Sequence, residues 1–322
     1  MPSLPRDKRT EQFFKRIAMQ FERCLAPGTR CTQKPVRAHS IQNQQVLEAL
    51  AESGHVMMFD LKIDRVTGPR VELQKVGHSK ATTFTGLCTE HDSTLFRPID
   101  TGILDLRNSE HLFLLAYRSV LREFHTKLRA ANMSQAIYRD TVESGQVSSE
   151  SPSPIGMEAV MQIAEAYSFY RFKFECDKWY LSASFQNISH EIIKLEGTGP
   201  VLAVSSMYNI VDNMVVLKRR LDPEFLILNV FPDESDTTIV FSYKTRQRDV
   251  VASYLREIQA ATSYYQRYLL SKTILANCEN LVLSPKFCSK LSDDQIRVIK
   301  DYFAITIRNR DAAVDDHRLM LF

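Results

Sequence analysis

The sequence predicts an α+β protein with an N-terminal metal-binding module, a long helix and a C-terminal antiparallel sheet covered by helices. Two observations support this prediction. Four strand-like segments follow one another between residues 189 and 245, and stretches with helical apolar spacing precede and follow them. Several cysteines and histidines, in contrast, fall before residue 100, in a part of the chain with few obvious core residues. Donor atoms of that kind would give this region a metal-organised structure.

Length and composition describe a globular protein. The chain has 322 residues, of which 44% are hydrophobic and 25% are charged, and such a chain can bury a core. This length predicts two domains, or one large domain with an appendage. A net charge of +3 permits nucleic-acid binding without arguing for it.

Targeting signals are not found in the sequence. No run of about 18 apolar residues suits a membrane span, and the charged first 24 residues lack the apolar centre of a signal peptide. Six cysteines are too few for a disulfide scaffold in a chain of this length. We therefore expect a cytoplasmic protein with reduced thiols and no membrane partner.

The first eighty residues predict two helices and a strand pair. Residues 8–24 carry apolar side chains at helical spacing, and residues 40–54 repeat that pattern before a terminal glycine. Residues 55–64 and 70–77 alternate as strands do, and a turn-rich stretch joins them.

The middle of the chain predicts two long helices and a flexible connection. Residues 108–140 form the first helix, with Ser109 as its N-cap. The stretch 143–156 is rich in serine, proline and glycine, which is typical of a linker. Residues 157–184 are helical and strongly aromatic, and we expect the aromatic residues 167–174 to pack in the core rather than to stack on bases.

The last part predicts a sheet and its covering helices. A hairpin turn over residues 231–238 joins the last two strands. Helices are predicted over residues 246–275 and 292–308. The strands are predicted over residues 189–197, 201–209, 224–232 and 237–245.

These elements group into two predicted domains. Residues 1–142 form the metal-binding module and the long helix, residues 143–156 form the linker, and residues 157–322 form an α+β domain. We expect a protease to cut first in the linker, because exposed and mobile segments are cleaved first.

Four residues predict a structural zinc site. Cys24 and Cys31 flank the turn sequence LAPGTR, which can fold two thiolates toward one point, and Cys88 and His91 have the C-x2-H spacing of a zinc knuckle. Three cysteines and one histidine would complete a closed tetrahedral site for one zinc ion per chain. His39, eight residues after Cys31, is the main rival for the place of Cys24.

Other interpretations of these residues remain open at this stage. Free cysteine is among the most buried residue types, and Cys176, Cys278 and Cys288 have the apolar neighbours of core thiols. His39 is placed to cap or precede the helix that follows it. Asp92 is placed to orient the imidazole before it or to cap a helix, which are common roles beside a metal ligand.

Longer motifs resemble a largely uncharacterised family of bacterial proteins. The shared elements are a Cys-x6-Cys pair, a His-Ser-Ile-Gln element and a Phe-x-Gly-x-Cys-x2-His-Asp-x2-Leu-Phe element, here TFTGLCTEHDSTLFRPID. Two later stretches, LNVFPDESDTTIVFS and NCENLVLSPKF, are similar to the second half of that family. The resemblance covers most of the chain and implies no particular activity.

The first half also resembles a divergent HNH module, which is a treble-clef zinc fold. That resemblance implies that His39 is a general base and that Asp92 holds a catalytic Mg²⁺ beside the zinc. The chain departs from the HNH pattern at Ala38, which cannot ligate a cation, and the asparagine of the signature has no clear match.

Two functions are therefore predicted. The first is a zinc-binding effector that contacts a protein or a nucleic acid, and the bacterial resemblance suggests a role in defence against phage. The alternative is an HNH-like nuclease that depends on a divalent metal. The sequence predicts no oligomeric state.

Overall fold

The computed structural model describes residues 22–28, 31–64, 68–211, 223–309 and 314–322. These residues form helices and antiparallel strands, which confirms the predicted α+β class. The helix predicted over residues 8–24 lies mostly outside the described residues.

The elements, numbered along the chain, match the sequence pattern in most places. Residues 40–54 contain only a short helical segment, Asn43–Leu47 followed by Glu48–Leu50. The strands are β1 (Val36–His39), β2 (His55–Asp64), β3 (Gly68–Gly77), β4 (Thr83–Leu87), β5 (Ile188–Leu195), β6 (Leu202–Asn209), β7 (Phe225–Asp233), β8 (Asp236–Lys244) and β9 (Leu281–Leu283). The main helices are α1 (Thr89–Asp100), α2 (Ser109–Glu143), α3 (Pro154–Leu181), α4 (Arg248–Ala260), α5 (Ser263–Asn277) and α6 (Asp293–Arg308).

The chain divides into two compact units that are interleaved along the sequence. Unit 1 comprises Met1–Ala38, Phe84–Thr94 and Val120–Ser182, and unit 2 comprises His39–Thr83, Leu95–Ser119 and Ala183–Phe322. This division differs from the predicted boundaries, because the stretch 143–156 lies inside unit 1 instead of between two domains.

Unit 2 contains a seven-stranded sheet. Its strand order is β3-β2-β9-β6-β7-β8-β5, and the described neighbours pair antiparallel. A two-residue turn joins β7 to β8, with Asp233 opposite Asp236, which confirms the predicted hairpin. The sheet is larger than predicted, because β2 and β3 from the first hundred residues join it through the unpredicted strand β9.

Side chains alternate between the two faces of this sheet, as the period of a strand requires. Leu226, Leu228 and Val230 of β7 face a core that also contains Leu255 of α4 and Ile274 of α5. Asn229, which lies between Leu228 and Val230 on β7, points to the opposite face, where Ser119 contacts it. Strands β6 and β8 are buried along almost their whole length, so side chains on both of their faces are covered, including the polar ones.

Unit 1 contains a helical hairpin made from the second part of α2 and from α3. An ion pair joins Lys127 Nζ and Glu165 Oε1 at 2.9 Å, and the same ammonium group lies 5.5 Å from the centre of the Phe169 ring. Pro154 begins α3, and the Ser153 hydroxyl caps it by accepting from the backbone N–H of Gly156. The predicted linker is thus a short connection between two helices, and its preferential cleavage stays a prediction.

Two local predictions need correction. The cap of α2 is Asn108 and not Ser109, because the Asn108 side-chain oxygen accepts from the backbone N–H of Glu110 at 2.9 Å. The aromatic residues 167–174 are only partly core residues. Phe169 and Phe172 are buried, whereas Tyr167, Tyr170 and Phe174 are 44–60% exposed.

Candidate metal centre

The junction between β4 and α1 forms one half of the site. Cys88 follows β4 at the N-cap of α1, and its carbonyl accepts from the backbone N–H of Asp92 at 2.9 Å. His91 is the third residue of the helix, and the side chains of an N-cap residue and of the third residue face each other. The C-x2-H spacing therefore brings Cys88 Sγ to 3.1 Å from His91 Nδ1.

The loop before β1 forms the other half. The backbone N–H of Leu25 donates to the carbonyl of Gly86 at 2.7 Å, which fixes this loop along β4. Cys24 Sγ then accepts from the backbone N–H of Cys88 at 3.4 Å. Gly28 turns the chain with a φ of +89°, a left-handed conformation that favours glycine, and Cys31 returns to the site.

Gly86 is required by close packing at this junction. A Cβ at this position would lie 2.4 Å from a ring carbon of Phe84, so the ring covers the space that a side chain would take. The Phe84 ring in turn packs edge-on against His125 of α2, with the ring centres 5.7 Å apart. Sequence reasoning missed this support, because a single glycine in a strand is a weak signal.

The four donor atoms lie close enough together to share one metal ion. Sγ of Cys24, Cys31 and Cys88 and Nδ1 of His91 all lie within 4.8 Å of one another. Zinc–sulfur bonds of about 2.3 Å and a zinc–nitrogen bond of about 2.05 Å would give edges of about 3.8 Å and about 3.6 Å. Two of the distances match these edges, 3.8 Å between Cys31 and Cys88 and 3.7 Å between Cys24 and His91, whereas Cys88 Sγ and His91 Nδ1 are closer, at 3.1 Å. The cluster can hold a metal ion.

The pKa values of two of the thiols are shifted in opposite directions. Burial by itself would raise the pKa of the Cys88 thiol. Hydrogen bonds from the His91 backbone and side chain and from the other two cysteines have a larger combined effect, so the pKa is lowered to about 7. Burial and the neighbouring Cys88 raise the pKa of Cys24 to about 11. Since metal ligands are thiolates, binding of a cation would release protons from this cluster.

Neither of the two residues predicted for catalysis is one of the four clustered residues. His39 is not among the four clustered residues, so the alternative that replaces Cys24 with His39 is not adopted. His39 belongs to unit 2, where burial lowers its pKa and where its Nε2 has no hydrogen-bond partner among the described residues. Asp92 belongs to unit 1 and is half-buried in the first turn of α1. Their catalytic roles stay predictions.

Comparisons with protein-family models, with curated proteins and with solved structures each find no match for this chain. The described helices include none that is long and apolar enough to cross a membrane.

Proposed function

We propose that the protein binds a structural zinc ion through Cys24, Cys31, Cys88 and His91 and acts through contacts with another protein chain. The observation that supports this proposal is the Cys3His cluster, whose four donor atoms all lie within 4.8 Å of one another. Three thiolates and one imidazole favour zinc over magnesium or calcium, which prefer oxygen ligands.

A closed site supports a structural role. Catalytic zinc sites keep one coordination position for water or substrate, whereas structural sites use four protein ligands. The ion would tie the loop at Cys24 and Cys31 to the start of α1, although the two segments are 57 to 67 residues apart in sequence. Its binding free energy would therefore be part of the folding free energy of unit 1.

Metal analysis of the purified chain tests this proposal. We expect one zinc per chain by elemental analysis, and we expect Cys88→Ser to lose it. Cys288→Ser is the matched control, because Cys288 is another buried thiol but lies outside the cluster. Metal-free protein, or zinc retained by Cys88→Ser and lost by the control, would contradict the proposal.

The contact surface is proposed on α3. This helix has apolar side chains on two of its faces. An apolar helix face is normally covered by other protein segments. One face is buried and includes Ala166, Phe169 and Cys176. The second face carries six large side chains that are 43–62% exposed and are spaced three, four or seven residues apart: Val160, Ile163, Tyr167, Tyr170, Phe174 and Leu181.

The spacing of this exposed stripe fits another helix with the same repeat. Alternating intervals of three and four residues are those of a coiled-coil seam. An antiparallel pair of α3 helices from two copies of the chain would set Val160 opposite Leu181 and Tyr167 opposite Phe174. Six half-exposed side chains present roughly 600 Å², so two copies would bury about 1,200 Å² in total, at the lower end of stable interfaces. A second copy is therefore the proposed partner.

Analytical ultracentrifugation of the full chain tests self-association. Tyr167→Lys and Phe174→Glu should each give a monomer, and an equimolar mixture should recover the dimer, because the antiparallel seam pairs the new charges. Tyr264→Lys is the control, since Tyr264 is 65% exposed on α5. A wild-type monomer at all concentrations would overturn the proposed partner. An oligonucleotide that binds the wild type but not the Tyr167 variant would instead favour a nucleic-acid surface.

The nuclease alternative and the role in defence against phage stay predictions of the two resemblances. For the nuclease, His39→Ala should abolish metal-dependent cleavage of DNA or RNA without changing zinc content. The absence of cleavage by the pure wild-type protein would remove this alternative.

A further inference from the structure

Unit 2 contains a second candidate site, which is a cavity on the sheet face opposite the α4–α6 core. Its volume is about 160 Å³. Apolar side chains form much of the wall, among them Val46, Ile99, Leu104 and Leu115. An apolar cavity of about 150 Å³ can hold a molecule the size of benzene. The space therefore fits one small organic molecule.

The same cavity has a buried polar floor. Arg118 and Asn229 line it and are only 4% and 2% exposed, and Ser205 is 1% exposed. Burying polar groups at this depth is costly unless each one finds a hydrogen-bond partner. The partners of these groups therefore indicate which chemistry the floor can accept.

A hydroxyl network orients the Asn229 amide. The Ser119 hydroxyl donates to Asn229 Oδ1 at 2.9 Å and lies 2.8 Å from the Ser205 hydroxyl. With the amide oxygen of Asn229 on Ser119, the Nδ2 group keeps its two donor hydrogens. Asn229 Nδ2 is buried and has no acceptor among the described residues.

Two contacts hold the Arg118 guanidinium in place. One terminal nitrogen donates to Asp100 Oδ2 at 2.6 Å, and the Phe96 ring centre lies 4.1 Å from the guanidinium carbon. Arg118 Nε is nevertheless buried without an acceptor within the described ranges. Two residues of one cavity wall thus each have a buried donor atom without an acceptor among the described residues. The ligand must supply the acceptor oxygens.

We propose that this cavity binds a small aliphatic carboxylate, with its carboxylate group on Arg118 and Asn229 and its alkyl group against Ile99, Leu104 and Leu115. A carboxylate accepts from both donors, and a guanidinium favours an anion. The acidic residue on the wall, Asp233, is paired with Lys194 at 3.0 Å. An amine would bring a third donor to the same floor and should be rejected.

Binding to the full-length protein tests the proposal with three shape-matched probes. Titration calorimetry should detect 3-methylbutanoate, at least tenfold weaker binding of 3-methylbutanamide, and no binding of 3-methylbutan-1-amine. Competition by the other probes should follow the same order. If the wild type binds none of the three at millimolar concentration, or binds the amine as well as the carboxylate, the proposal is wrong.

A single substitution places that binding in the cavity. Asn229→Asp keeps the shape of the side chain but replaces the donor with a second acceptor, so carboxylate affinity should fall at least tenfold. Asn132→Asp is the control, since it makes the same change at an exposed position of α2. Unchanged affinity in a folded Asn229→Asp variant would overturn the assignment. If that variant does not fold, the wild-type probe series alone decides the outcome.

Discussion

The two compact units achieve order by different means. Unit 2 buries a seven-stranded sheet, with Leu228 and Phe241 wholly inaccessible in its core. In unit 1, three thiols and an imidazole converge where a loop meets the start of α1, and α3 leaves an apolar stripe exposed. A sheet with covered faces is stabilised by apolar burial, whereas a loop held by side-chain donors depends on what the donors bind. The comparison therefore predicts that the stability of unit 1 depends on a metal ion and that the stability of unit 2 does not.

The largest expected effect comes from metal removal. A strong chelator at neutral pH, or Cys88→Ser, should remove on the order of 10 kcal/mol of binding free energy from unit 1, the scale of structural zinc sites. Hydrogen exchange should then lose its protection over Phe84–Thr94, while β6–β8 keep theirs. Equal loss of protection in both units, or no loss in either, would contradict the predicted difference between them.

A core substitution should show the reverse pattern. Phe241→Ala would leave a cavity in the sheet core and destabilise unit 2 by about 3–5 kcal/mol, because Phe241 is 0% exposed. The midpoint of urea unfolding measures the effect, and zinc content should not change. Leu61→Ala is the control, at a strand position that is 51% exposed. If Leu61→Ala lowered stability as much as Phe241→Ala, this account of the core would be wrong.

Mild acid should weaken unit 2 through one histidine. Burial lowers the pKa of His190 to about 4, while its Nδ1 lies 2.8 Å from the Ser242 hydroxyl. Between pH 6.5 and 4 the unfolded chain would bind a proton that the folded chain refuses, so stability falls as pH falls, by at most about 3 kcal/mol.

His190→Asn keeps the contact to Ser242 and removes the titration. The wild type should lose stability over that pH window, and the variant should show a flatter curve by denaturation followed locally at β5. Parallel curves for the two proteins would exclude His190 as the cause.

The smallest expected effect concerns the cap of α6. The Ser292 hydroxyl accepts from the backbone N–H of Gln295, and the Gln295 side chain accepts from the backbone N–H of Ser292. Ser292→Ala should cost about 1 kcal/mol, measured by urea unfolding, and Ser292→Asp should recover most of it. If Ser292→Ala lowered the zinc content, the expectation that unit 2 is independent of the metal site would be wrong.

The elements that the sequence predicted well have local causes. The β7–β8 hairpin follows from apolar strands on either side of a short polar turn, and the helix predicted over residues 157–184 overlaps α3, although its capped start at Ser153 was not predicted. The C-x2-H pair is local too, because the first turn of α1 brings Cys88 and His91 together. The approach of Cys24 and Cys31 was predicted only from donor chemistry, since no local pattern joins them to Cys88.

The elements that the sequence did not predict depend on distant partners. The three residues of β9 are too short to show a period, yet this strand lies between β2 and β6 and joins the two ends of the sheet. The cavity floor is made by Arg118, Ser205 and Asn229, which lie on α2, β6 and β7. The sequence around a polar residue in a helix or a strand does not indicate which distant side chains it will contact.

By itself, the sequence determined the α+β class, most strands and helices, and the four donors of the metal cluster, because hydrophobic period, turn chemistry and ligand type act over a few residues. Only the tertiary structure decided that the units are interleaved, that β2 and β3 join the later strands, and that the amide of Asn229 and the guanidinium of Arg118 share one cavity. These features depend on packing between segments far apart in the chain, and no local preference encodes which distant surface a segment will cover.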